Sequence, residues 1–134
     1  MCSPPPTKKC APFYLIYGDG PKTQQMFPFL LVHVSVPNRE LAQTMARELV
    51  ERRLAASVHV TGPAETVYWW QNEIQHGNEW SCRIRTHELL KDRVVEVIEA
   101  MHPFDVPEIF SQEIHPVTPE YDAWLMQYAD GSGP

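Results

Sequence analysis

A chain of 134 residues with 43% hydrophobic and 21% charged side chains is one domain's worth of polypeptide, able to bury a core without metal or disulfide staples. Its formal net charge of −6 argues against nucleic acid or an anionic membrane surface as partner, since both select basic clusters. Cys2, Cys10 and Cys82 have no metal-type spacing and form no disulfide framework, and no run approaches the ~20 apolar residues of a membrane helix, so a cytoplasmic location is expected.

Residues 1–26 hold Pro4-Pro5-Pro6 and Gly18-Asp19-Gly20 with little periodicity, and read as a flexible extension. The apolar run from Cys10 to Tyr17 behind Lys8 and Lys9 stops early and lacks the small-residue site of a secretion signal. The folded domain is expected over 27–130, with 131–134 as a flexible tail.

Phe27 to Val36 reads as a strand, with Leu30, Val32, Val34 and Val36 on one face and Phe29, Leu31, His33 and Ser35 on the other. Pro37-Asn38 ends it and supplies a helix N-cap, after which Leu41, Ala42, Met45, Ala46, Leu49 and Val50 recur at helical spacing. Leu54 to Gly62 returns as a strand. Gly62-Pro63 marks a bend or bulge rather than a reversal, because β-character resumes at Glu65.

Ser57 to Thr86 therefore reads as one long hairpin, with its break expected at Gly77-Asn78 and with arms longer than a small domain needs. Alternation puts Tyr68 and Trp70 on one face and Trp69 on the other, so the three are expected as packing or interface anchors rather than a stacking platform. Cys82, between Trp80 and Ile84, is expected as a buried, inert thiol. Thr86 is the expected cap of a second helix carrying Leu90, Val94, Val97, Ile98 and Met101, which Pro103 closes at His102. A last strand is expected over Pro107 to His115. Thr118-Pro119-Glu120 then starts a short helix with Tyr121, Trp124, Leu125 and Tyr128.

The order β-α-β-β-α-β plus a C-terminal helix predicts an α+β, ferredoxin-like split β-α-β sandwich with both long helices on one sheet face. The other face, expected to hold Phe29, Leu31, His33, Ser57, His59, Ser81, Arg83 and Ile109, has enough apolar area to favour self-association. The six histidines form no HxH or HxxxH ligand pair, and His33 and His59 share a type of face without sitting on neighbouring strands. There is no Gly-rich phosphate loop, no GxSxG and no Cys beside an evident base, so no enzyme is expected.

Val36-Pro37, Leu54-Ala55-Ala56, Tyr68-Trp69-Trp70, Ile84-Arg85-Thr86 and His102-Pro103-Phe104-Asp105-Val106-Pro107-Glu108 occur in the order seen in the CutA family, named for divalent-cation tolerance, which the chain resembles from Phe29 to Leu125. The resemblance implies a homotrimer similar in architecture to the PII signalling proteins, with clefts between subunits that bind a metal ion or a small anionic ligand. Carried over by position, such a cleft draws on Tyr68, Trp69, Trp70, Arg85, His102, Phe104 and Glu108. Phe104 stands where relatives often have Tyr. The family's link to copper makes a divalent metal the implied cofactor, but Val34 and Ser57 stand where some relatives carry Cys, leaving imidazoles, His33, His59 or His102, as candidate ligands. Two other readings stand beside this one: a trimeric scaffold that docks another protein, and a hydrolase or lyase using Glu108 and His102.

Overall fold

Residues 28–134, the part of the chain that the computed structural model describes, contain four strands and three α-helices; the expected extension over 1–26 lies outside them. Strand β1 (Phe29–Val36) leads into helix α1 (Arg39–Glu51), whose Asn38 side chain accepts a 2.8 Å hydrogen bond from the Leu41 N–H, satisfying one of the donors a helix start leaves open. Strands β2 (Ser57–Trp70) and β3 (Glu73–His87) form the hairpin, and α2 (Lys91–Met101), β4 (Ile109–Ile114) and α3 (Pro119–Tyr128) complete the order. The antiparallel sheet runs β2-β3-β1-β4, the ferredoxin-like split β-α-β arrangement expected from the sequence.

Leu30, Val32, Val34 and Val36 of β1 are buried against Ala42, Met45 and Leu49 of α1 and Val94 and Ile98 of α2, together with Cys82 and Ile84 of β3. The period of two in the strand and the period of 3.6 in the helices meet in this single core. Helix α3 lies across the opposite face at one end, where Trp124 and Leu125 cover Phe29. That face is therefore only partly open.

Three expectations need correction. The hairpin turns at Gln71-Asn72, both at positive φ (51° and 65°), whereas Gly77 sits mid-strand opposite Thr66; a two-residue loop with two left-handed residues matches the sheet twist and needs no glycine when Asn supplies one of them. Ile109 pairs with Val34 and so belongs to the helix-covered face, and Phe110 takes the open side. Thr86 is no helix cap: it is fully buried in β3, its hydroxyl donating to the Leu54 carbonyl, and His87 caps a 3-10 turn (Glu88–Leu90) by accepting from the Leu89 N–H.

Residues 131–134, expected as a tail, lie against the end of α1: Gly131 and Gly133 donate to the Arg53 and Arg52 carbonyls at 2.8 and 3.1 Å.

Candidate functional site

The bulge expected at Gly62-Pro63 is present, as a register shift between Thr61 and Ala64 that sets Gly62 against the ring of Trp80. One extra residue exchanges the faces of everything beyond it. Ser57, His59 and Thr61 lie on the open face before the bulge, whereas Tyr68 and Trp70 continue that face after it and Trp69 turns to the other. Because β2 is an edge strand and β1 ends at Val36, opposite Trp80, β3 has only β2 for a neighbour from Glu79 to the turn, and the pair projects as a two-stranded arm, about 20 Å long at ~3.3 Å per residue. Its aromatic and aliphatic side chains are bare: Trp69 is 71% exposed, Val67 65% and Ile74 55%, all three on one face.

The loop between α2 and β4 is stiffened from inside. Phe104 donates its N–H to Nδ1 of His102 at 3.2 Å, so the imidazole proton sits on Nε2 and donates to the Ser35 carbonyl at 2.7 Å. His102 is buried, with Nε2 tying the loop to the end of β1 and Nδ1 bracing the loop on itself. Among the described residues no hydrogen bond or ion pair joins it to Glu108. Phe104 stands over it, half-exposed, with ring centroids 5.1 Å apart.

Glu108 belongs to a different corner. Its carboxylate lies 3.6 Å from Nε2 of His33 and accepts from the Ser35 hydroxyl at 3.5 Å, while the Ser35 oxygen is 3.2 Å from the same His33 nitrogen. The His33 ring stacks on Phe110 at 4.6 Å with an interplanar angle of 14°. This imidazole, hydroxyl and carboxylate are the nearest approach to a metal-binding set that one chain offers, since among the described residues no group of three or more His, Cys, Asp or Glu side chains converges. Cys82 contributes nothing to it: the thiol is buried, donates to the Ala42 carbonyl, and is pushed up to about 11 by burial.

His59 sits on the far side of β3. Register places Arg83 directly between His59 and His33, and Arg85 opposite Ser57 one step along. His59 is held below the usual histidine range by desolvation, then by the guanidiniums of Arg85 and Arg83. Within one chain the residues expected at the cleft thus fall into separate groups. The arm carries Tyr68, Trp69 and Trp70, the loop carries His102 and Phe104, Glu108 joins His33, and Arg85 joins His59. Arg83, Ser35 and Phe110 are additional members: alternation placed Arg83 and Ser35 on the open face without assigning them to the cleft, and Phe110 takes the place expected for Ile109.

A family model described as CutA1 divalent ion tolerance protein matches residues 30–128. The chain belongs to the CutA1 family. It is 35% identical over 103 residues to the rice protein CutA 1, chloroplastic, and 33% identical over 98 residues to the Thermotoga maritima divalent-cation tolerance protein CutA, covering 77% and 73% of this chain. It spans 58% of the rice relative and 57% of the Arabidopsis thaliana one, but 96% of the Thermotoga protein. The solved Thermus thermophilus Cut A1 structure superposes with a TM-score of 0.72 at 34% identity, over 75% of this chain and 97% of that one. The rice CutA1 structure gives the same TM-score at 35% identity, over 75% and 93%. Among the described residues, no helix is long and apolar enough to cross a membrane.

Proposed function

We propose that this CutA1 chain acts without enzymatic chemistry in the cytoplasm, as a homotrimer that binds a divalent metal ion, copper above all, or a small anionic ligand where subunits meet. The observation that carries the reading is the bare arm. An exposed Trp offering most of its ~150–250 Å² is worth roughly 3–4 kcal/mol when covered, and Trp69 shares its face with Val67 and Ile74. An arm of this length reaches past its own sheet, so a second copy is the economical cover.

Completion between copies also suits the metal. His33 and Glu108 supply one imidazole and one carboxylate, donors acceptable to Cu²⁺ or Zn²⁺ but too few to hold either tightly, and a neighbour's side chain or water would have to add the rest. His102 would have to give up two hydrogen bonds to join, and His59 stands beside two guanidiniums that repel a cation, whereas His33, beside Arg83 alone, has the Glu108 carboxylate to offset it.

Calorimetric titration with Cu²⁺ tests the metal half. The expected result is saturable binding that is weakened by His33→Gln or Glu108→Gln and lost when Trp69→Ser with Ile74→Ser dissociates the assembly. Binding that persists unchanged in the dissociated double variant would remove the inter-subunit site.

A second reading, a trimeric scaffold for another protein, is favoured by the thin donor set of the single chain. Absence of any metal titration in an intact trimer is its expected signature.

A further inference from the structure

The sheet face carries a charge arrangement that metal binding does not use. Ser57 pairs with Arg85 and His59 pairs with Arg83, so two neighbouring rows of β2 and β3 form a two-by-two block of hydrogen-bond donors on the open side. Residues i and i+2 of a strand share a face about 6.5–7 Å apart, and directly paired Cβ atoms stand about 4.5–5.5 Å apart, so the block has the span of one tetrahedral oxyanion.

The two guanidiniums are uncompensated. Arg47, Arg52 and Arg53 each pair with a carboxylate at 2.7, 2.6 and 3.8 Å, whereas among the described residues neither Arg83 nor Arg85 has an acidic partner. Arg85 Nη1 instead donates to the Arg83 carbonyl, which holds it beside its neighbour. His33 flanks the row on the β1 side, where Glu108 already faces it. In a chain of net charge −6 this is a local concentration of positive charge rather than a general property of the surface.

We infer that Arg83 and Arg85, with His59 and the Ser57 hydroxyl, form a binding site for a phosphate-type oxyanion on the open sheet face. Planar guanidiniums match phosphate oxygens bidentately, and two of them side by side repel a divalent cation, so the face separates an anion site at β2-β3 from the His33-Glu108 corner. The site takes up the anionic-ligand half of the proposed function and rests on Arg85 facing the ligand there. One chain supplies all four donors, on the face where a neighbouring copy would close the cleft. If copies pack through this face, the anion also relieves the repulsion between their guanidiniums.

The test is isothermal titration of the full chain with inorganic phosphate, tripolyphosphate and ATP against sodium chloride at matched ionic strength, with the oligomeric mass followed separately by sedimentation. Saturable phosphate binding is expected in the wild type. Loss of one charged hydrogen-bonding partner should weaken it by about tenfold or more in Arg83→Gln, while Arg47→Gln leaves it unchanged. Equal affinity for tripolyphosphate and ATP assigns the site to the phosphate alone, and tighter ATP binding assigns it to a nucleotide; both support the oxyanion site. No saturable phosphate binding above the chloride control overturns it. So does undiminished binding in a folded Arg83→Gln/Arg85→Gln variant. A phosphate-dependent shift of the His59 ring resonances in the wild type locates the ligand independently of either variant, and a shift confined to other histidines counts against it. Because the mass is read separately, a monomer that binds phosphate removes only the trimer, and a trimer that does not bind removes only the anion site.

Discussion

Gly62→Ala probes the bulge that aims the arm. Gly62 has φ of 155°, a region L side chains rarely adopt, and a Cβ there would lie 2.6 Å from Cδ2 of Trp80 and 2.9 Å from both Cγ and Cε3. Ordinary carbon contacts are about 3.5–4.0 Å, so the overlap is near 1 Å. Trp80 cannot retreat freely, because it packs on the core and carries the Arg39 guanidinium 5.6 Å above its ring. Overpacking costs about 1–3 kcal/mol and backbone strain adds about 1–3 kcal/mol, so we expect a loss of roughly 2–6 kcal/mol, or about 8–24 °C in Tm for a domain of this size. Gly77→Ala is the internal control. Its Cβ would meet only Thr66 Oγ1 at 3.7 Å, in the same arm, and the change should be neutral within about 0.5 kcal/mol. Urea denaturation at fixed protein concentration reads both, and equal midpoints for the two variants would refute the account of the bulge.

Cys82 should stay unmodified by a thiol reagent at pH 8 in a Cys2→Ser/Cys10→Ser background, reacting only as fast as the domain unfolds, because burial holds the thiol protonated; rapid labelling of the native protein contradicts this. His102→Ala leaves the Ser35 carbonyl and the Phe104 N–H without their partner and should cost about 1–3 kcal/mol in urea denaturation, against near-neutrality if the contact contributes nothing. Acidification through the imidazole range should destabilise the fold. His59 is lowered by desolvation and by Arg85 and Arg83, and His87 by desolvation that Glu88 and Asp122 only partly offset, so the unfolded chain takes up protons first, from about pH 6.5 downward, and stability falls until both native imidazoles are charged. Urea midpoints at pH 7.5 and 5.5 check the sign, and His59→Asn should reduce the difference; a midpoint that rises on acidification opposes it.

Most of the fold was legible because its signals are local. Period-two and period-3.6 runs placed β1, α1 and α2, Asn38 and Thr118 marked helix starts that the structure keeps, and Gly62-Pro63 announced a bulge without a reversal. The hairpin turn was missed because Gly77-Asn78 is the stronger glycine signal, while Gln71-Asn72 reaches positive φ through a residue pair that carries no glycine. The candidate site was less legible for a different reason. The row His59-Arg83-His33 exists only because β3 lies between β2 and β1, a nonlocal pairing that no window of sequence contains, and the register of β4 on β1, equally nonlocal, puts Phe110 rather than Ile109 on the open face.

The central claim is that the hairpin arm is an assembly device, with the metal site dependent on where it lands. Sedimentation equilibrium at micromolar concentration tests it most directly. Wild-type protein should sediment with the mass of three chains, and Trp69→Ser/Ile74→Ser, whose side chains are exposed in the single chain, should yield a folded monomer of unchanged circular dichroism. A wild-type monomer, or a double variant that keeps the full mass, would contradict the account.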